Sequence, residues 1–211
     1  KKQHIDTKDT TILSADRFEP YLKAVGYDQS RAFKLYMWNL HLSSAFYPLL
    51  ASIEVALRNR IILCLKEAFG DQWWDSAQFQ SLLGKRGKGI LLRAVKEVVK
   101  SDRTLTDGRI TAELSFGFWT NMFLPKYEAH LWQCFCAETP LAEAISREQI
   151  LDRCNKIRVL RNRISHHETL IGRNITLDYS ETLELLRWIC PDTADWIKPE
   201  LKIMALVRQR P

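Results

Sequence analysis

DQSRAFKLYMWNLHLSSAFYPLLASIEVALRNRIILCLKEAFG, residues 28–70, is a segment with one continuous helical periodicity. Large apolar residues recur in it at steps of three and four, which predicts a helix with a single buried face. These residues are Leu42, Phe46, Leu49, Ile53, Leu57 and Ile61. Pro48 lacks the N–H that a helix interior uses, so we expect two helices or one bent helix, ended by Gly70.

The same periodicity, punctuated by glycine and proline, predicts helices through the rest of the chain. Helices are expected at 17–25, 90–100, 109–122, 125–137, from Ser146 onward, 178–189 and 193–207, with a basic loop at 84–89 and an aromatic connector at 71–79. Ser146 and Gln149 have the spacing of a capping box. No stretch shows the regular turn signals of a sandwich or barrel. We therefore expect an all-α helical bundle, formed by one domain over residues 16–211 after a polar lead-in at 1–15.

The composition is that of a globular domain and excludes a disordered chain, with 46% hydrophobic and 27% charged residues. A net charge of +6 permits a polyanionic partner without requiring one. The first residues lack the apolar core of a secretory signal, and the uncharged run that ends at Ile53 contains His41, Ser43, Ser44 and Pro48. That run is too polar to span a bilayer, so we expect a cytoplasmic protein without a membrane partner.

The cysteines do not have the spacing of a metal site or a disulfide framework. There are five, an odd number, and none forms a CxxC pair. Cys134 and Cys136 are two residues apart, which directs them to different sides of a helix. Buried thiols in a reducing compartment are the favoured interpretation.

Residues 161–167, RNRISHH, form the densest group of basic and titratable side chains in the chain. Histidine titrates near neutral pH, so it can take a proton from a ribose 2′-hydroxyl or give one to a leaving 5′-oxygen. Arginine holds phosphate in a bidentate fork and stabilises the charge that develops on it. Asn162 could orient an imidazole by a hydrogen bond. These residue types suit RNA cleavage without a metal or other cofactor.

Helix geometry restricts how this segment can act. Asn162 and His166 share one face, and Arg163 and His167 share a neighbouring face. Arg161 lies roughly 140° around the helix from His166. The two side chains meet only if the helix ends or unwinds near Ser165, or if a second subunit contributes its copy. Alternatively, the cluster only complements the dipole at a helix end and has no catalytic role.

Three segments carry a family resemblance. Residues 161–166, RNRISH, resemble the signature of the HEPN superfamily, which is Arg, a polar residue, a short spacer and His. Residues 51–59, ASIEVALRN, and 113–119, ELSFGFW, resemble the Abi-like family, named for bacterial abortive infection of phage. The sequence His166-His167-Glu168 is similar to the end of that family's motif. The similarity runs from about residue 20 to about residue 190.

The resemblance implies a HEPN-like helical bundle with additional helices, commonly a homodimer in which Arg and His of both subunits face one cleft. It also implies a metal-independent endoribonuclease that acts on tRNA or other cellular or phage RNA, in a toxin–antitoxin or phage-defence setting with an RNA or protein antitoxin. Arg161, Asn162 and His166 match the signature, and His167 is a second-rank catalytic candidate. The expected RNA-binding or supporting residues are Glu54, Arg58, Arg158 and Arg163. For Glu54 and Arg58 an ordinary helix ion pair is the alternative.

Other features keep two interpretations each. The basic run Lys85, Arg86, Lys88, Arg93, Lys96, Lys100 and Arg103 is either an RNA-backbone track or, as we favour, the solvated face of an amphipathic helix. Trp73-Trp74 is a candidate for base stacking. At the level of function, the alternatives to a nuclease are a non-catalytic RNA-binding module and a helical module that binds an antitoxin.

Overall fold

The computed structural model describes residues 14–101, 104–137, 139 and 145–211. All regular secondary structure in these residues is helical, which confirms the predicted all-α class. Arg103 of the basic run and most of the lead-in, residues 1–13, lie outside the described residues. The ten α-helices in the described ranges are α1 (Ala15–Ala24), α2 (Gln29–Phe69), α3 (Ala77–Lys100), α4 (Asp107–Glu113), α5 (Phe116–Thr120), α6 (Glu128–Ala137), α7 (Arg147–Ser165), α8 (Ile175–Ile189), α9 (Pro191–Ile197) and α10 (Ile203–Arg208).

Helix α2 is the central element of the fold. Its 41 residues correspond to a length of about 60 Å, and α1, α5, α6, α7, α8, α9 and α10 all pack against it. The predicted apolar face, from Leu42 to Ile61, is 0–2% exposed throughout. The side chain of Asp28 caps the helix by accepting from the N–H of Arg31 at 2.9 Å. The periodicity of residues 28–70 therefore predicted both the element and its buried side.

Helix α2 is continuous across Pro48, so of the two expected arrangements the structure has one helix and not two. Pro48 is exposed, whereas Phe46 and Leu49 beside it are fully buried. A proline on the solvent side removes one backbone hydrogen bond from a carbonyl that water can reach. Packing of the buried face on both sides of Pro48 holds the two halves together.

Two other predicted boundaries are corrected. The expected basic loop at 84–89 is helical except at Gly84, which has φ 69° and ψ 175° and kinks α3. The expected helix 109–122 is divided into α4 and α5 by Leu114, whose backbone is extended. Breaking the helix there lets Leu114, Phe116 and Phe118 all be buried, although their spacing would scatter them around a continuous helix.

Smaller features follow the sequence more closely. Ser146 and Gln149 form both bonds of the predicted capping box at the start of α7. The aromatic connector contains one 3-10 turn, Trp73–Asp75. Trp73 is fully buried against Phe79 and Trp119, so it is a core residue and cannot stack on a base. The predicted helix 193–207 is divided into α9 and α10 around Pro199.

None of the five cysteines, all of which lie in the described ranges, forms a disulfide bond. Cys64 and Cys154 are buried, and desolvation raises the pKa of both thiols. Neither therefore has the properties of a reactive nucleophile. None of the described helices combines the length and the apolar character needed to cross a membrane.

Candidate functional site

The candidate segment, residues 161–167, comprises the last turn of α7 and the two residues that follow it. Ile157 and Leu160 are buried, and Ile164 packs half-buried against the core, which confirms the predicted inner face. The helix ends at Ser165, within the segment itself. This is one of the two conditions under which the side chains of Arg161 and His166 can approach a common site.

Residues 163–168 form a Schellman turn, which we call the histidine turn. The N–H of Glu168 donates to the carbonyl of Arg163 at 2.8 Å, and the N–H of His167 donates to the carbonyl of Ile164 at 3.1 Å. His166 is the helix C-cap, and His167 occupies the left-handed position with φ 55°. Glycine normally fills that position, so the backbone at His167 is strained. Both histidines are exposed.

Two distant residues hold the histidine turn and the loop that follows it. The guanidinium of Arg17, in α1, donates to the carbonyls of His166 at 3.3 Å and His167 at 3.5 Å. A cation at a helix C-terminus also interacts favourably with the helix dipole. The buried side chain of Asn39, in α2, accepts from the N–H of Leu170 at 2.7 Å. Sequence reasoning missed both residues, since neither belongs to a motif and each lies more than 130 residues from its partner.

Arg161 points toward α2. Its Nε lies 3.6 Å from a carboxylate oxygen of Glu54, so the two form an ion pair that is too long for a hydrogen bond. Among the described side chains, Glu54 pairs with Arg161 and not with Arg58, which excludes the predicted alternative of an ordinary Glu54–Arg58 helix pair. All three residues line a pocket of about 340 Å³, the Glu54 pocket, which Tyr47 and Ser165 also line. The buried Nε of Arg58 has no hydrogen-bond partner in the described part of the chain.

Arg161 also lines a larger cavity on its other side, which we call the basic groove. This groove of about 490 Å³ lies between α3, the segment 115–127 and α7. Its cationic lining residues are Arg86, Lys126, Arg158 and Arg161, and no described Asp or Glu lines it. Asn162 lies on the same wall. Arg161 is thus the residue that the Glu54 pocket and the basic groove share.

Several predicted contacts are not formed within the chain. Asn162 and His166 are joined by the helical hydrogen bond between their backbones, at 2.9 Å, and the predicted bond from the Asn162 side chain to the imidazole is not formed. Arg163 pairs with Glu168 at 3.0 Å, and His167 lies beyond the end of α7, so Arg163 and His167 do not share a helix face. Neither the Glu54 pocket nor the basic groove has His166 in its lining. One chain therefore brings Arg161 and Asn162 to the groove, and both histidines lie outside the two linings.

Among the described residues, no group of three His, Cys, Asp or Glu side chains is placed to hold a metal ion. The site consists instead of guanidinium groups, an amide, one carboxylate and two exposed imidazoles. Such a set can bind a phosphodiester and exchange protons with it.

No model of a known protein family, no curated protein and no solved structure matches this chain.

Proposed function

We propose that the protein is a metal-independent endoribonuclease of the HEPN type, acting on tRNA or other cellular or phage RNA. One observation carries the proposal. Arg161 lines a basic groove without described carboxylates, and α7 ends one turn later in a strained turn that exposes two imidazoles. The proposed setting is a cytoplasmic phage-defence or toxin–antitoxin system, in which an RNA or protein antitoxin inhibits the enzyme.

The residues have distinct proposed roles. One imidazole, that of His166, takes the proton of the ribose 2′-hydroxyl, whose oxygen then attacks the phosphorus. The bond from phosphorus to the 5′-oxygen breaks, and a second imidazole protonates the leaving oxygen. The products are a 2′,3′-cyclic phosphate and a free 5′-hydroxyl. Arg161 stabilises the charge on the phosphoryl oxygens, and Glu54 holds its guanidinium in place.

The second imidazole has two sources, His167 of the same chain or His166 of another copy. We propose a homodimer, which the surface beside the Glu54 pocket supports. An apolar groove of about 530 Å³ there is lined by exposed Val55, Leu63 and Trp196. It adjoins the Glu54 pocket, because Ala51 and Val55 line both. We propose that a second copy docks on this surface in an orientation that places its own histidine turn near the neighbouring Arg161.

A cleavage assay tests the proposal. Purified protein is mixed with total RNA in EDTA, and its activity is compared with that of Arg161→Ala and His166→Ala. We expect each variant to lose about 100-fold or more, since a general acid or base such as His166 contributes roughly 10²–10⁴ in rate and a charge-stabilising donor such as Arg161 roughly 10²–10³. His41→Ala and Arg208→Ala are the matched controls, because both side chains are exposed and lie outside the site. Equal cleavage by the wild type and both site variants, or cleavage that EDTA abolishes, contradicts the proposal.

A non-catalytic RNA-binding module is the second candidate. It is favoured by the absence of His166 from the linings of the basic groove and the Glu54 pocket. RNA binding that depends on Arg161, with intact RNA after prolonged incubation, is the result that selects it. A stable complex with a cellular protein and no RNA binding at low salt selects the antitoxin-binding module instead.

A further inference from the structure

We propose that the basic groove binds the phosphodiester backbone of one RNA strand and leads that strand to Arg161. RNA as the ligand rests on the proposed function, whereas the groove and its charge are independent of any catalysis. The groove contains residues outside the three segments that carry the family resemblance, notably Arg86 on α3 and Lys126 before α6. The proposed binding surface therefore extends beyond the RNRISHH segment.

The groove contains positive charge that the protein itself does not neutralise. Within the described part of the chain, neither Arg86 nor Arg158 forms an ion pair. Arg158 makes one hydrogen bond, to the neutral side chain of Asn155 at 3.3 Å. Lys126 is less available to a ligand, because its ammonium already donates to the carbonyls of Leu82 at 2.9 Å and Leu83 at 3.2 Å. Two exposed guanidiniums on opposite walls, α3 and α7, thus face a cavity without described carboxylates, which favours an anion between them.

The shape of the groove leaves room for a single strand. Gly117 contributes no side chain to its lining, so the space beside Arg158 stays open. A Cβ atom added at Gly117 would lie 3.7 Å from Cδ of Arg158, in van der Waals contact with the stem of that side chain. A volume of about 490 Å³ is in the range of small-ligand sites, which extends from about 300 to 1,000 Å³. That space suits one or two nucleotides of a single strand and not a duplex.

The lining of the groove also determines which part of a nucleic acid it can recognise. The aromatic residues of the lining, Phe116, Phe118 and Tyr127, are 2–4% exposed and belong to the core. They offer no platform on which a base could stack. Recognition in this groove is therefore through phosphate, which predicts weak dependence on base sequence and strong dependence on salt.

Binding of a labelled 2′-O-methyl RNA 12-mer, measured by fluorescence anisotropy in EDTA, tests this inference. The methylated strand lacks the 2′-hydroxyl nucleophile, so it stays intact whether or not the protein is a nuclease. We expect Arg86→Ala and Arg158→Ala each to weaken binding several-fold and to reduce the slope of log K against log salt by about 0.7. Arg93→Ala is the matched control, because Arg93 is exposed on the same helix but does not line the groove. It should leave affinity and slope unchanged.

The results also separate this inference from the proposed function. If both Arg86→Ala and Arg158→Ala bind RNA with the wild-type affinity and the wild-type salt slope, the basic groove does not bind the RNA backbone. This conclusion holds even if the protein cleaves RNA. A duplex of the same length that binds more tightly than the single strand overturns this inference as well. RNA binding that depends on Arg86 and Arg158, without any cleavage, supports RNA binding by the groove. It refutes only the proposed endoribonuclease activity.

Discussion

His167 has an unusual backbone for its residue type. With φ 55° it occupies a conformation that disfavours side chains with a Cβ by roughly 1–2 kcal/mol. Histidine, asparagine and aspartate are enriched among the exceptions, and such strain persists where the surroundings hold it. Here the two bonds of the Schellman turn and the contacts of Arg17 hold it. A histidine at a position suited to glycine is consistent with a role for the imidazole.

Replacing His167 by glycine should separate stability from function. We expect His167→Gly to raise the free energy of unfolding by up to about 1 kcal/mol, because the strain is relieved at a modest cost in chain entropy. His167→Ala keeps the Cβ and should not be more stable than the wild type. Unfolding in urea, monitored by circular dichroism, measures the free energy of unfolding of both variants. A loss of more than about 1 kcal/mol in His167→Gly would show that the imidazole itself stabilises the fold.

The same pair of variants bears on catalysis in the RNA assay. If the imidazole of His167 protonates the leaving oxygen, both variants lose activity although only one retains the strain. Full activity in both assigns the second proton transfer to another histidine, such as His166 of a second copy.

Among the elements, α3 combines two helical segments through one residue. Gly84, with φ 69° and ψ 175°, lies in a region that is essentially restricted to glycine. The kink ends the first segment at the carbonyls of Leu82 and Leu83, where the ammonium of Lys126 binds. It also starts the second segment, which carries Arg86 to the wall of the basic groove. The glycines of residues 84–89 therefore have different structural roles.

Alanine substitutions at Gly84 and Gly89 should change stability in opposite directions. A Cβ at either position meets no atom within 4 Å, so steric clashes do not distinguish them. Gly84→Ala should cost about 1–3 kcal/mol because of its backbone angles. Gly89→Ala, inside the helix, should stabilise by about 0.5–1 kcal/mol. Unfolding in urea measures the pair, and a destabilising Gly89→Ala would contradict this account of α3.

At the scale of the whole molecule, the two grooves and the Glu54 pocket occupy adjoining surfaces around α2 and α7. The basic groove shares Arg161 with the Glu54 pocket, which shares Ala51 and Val55 with the apolar groove. Trp196 at the apolar groove is 73% exposed and Leu63 is 50% exposed. Exposed apolar residues that cluster beside a charged site are typical of an interaction surface.

If this surface binds a second copy, Leu63→Glu should shift the protein from dimer to monomer. A charge at the centre of an apolar interface loses its hydration without gaining a partner, so the dimer dissociates. Sedimentation velocity over a range of concentrations measures the change. Leu92→Glu is the matched control, since Leu92 is 45% exposed on α3 and lies outside the apolar groove. A wild type that stays monomeric at all concentrations, or a Leu63→Glu dimer, contradicts the proposed homodimer.

Local pattern was sufficient to predict the helical class, the buried face of α2, the capping box of α7 and the inner face of that helix. These features depend on spacing of three and four residues and on end caps, which act within one or two turns. The alternatives left open at Pro48 were decided by exposure, since a solvent-facing proline does not divide α2. The expected loop at 84–89 was wrong, because residues 85–89 are helical and Gly84 alone accommodates the bend.

Only the tertiary structure decided what surrounds the candidate residues. It paired Glu54 with Arg161, brought Arg86 and Arg158 to one groove, and placed Arg17 on the carbonyls of the histidine turn, 149 residues away along the chain. The partner that a charged side chain takes depends on which helices pack together and at what angle. That choice is made by the burial of the whole core, so no spacing within a single segment encodes it.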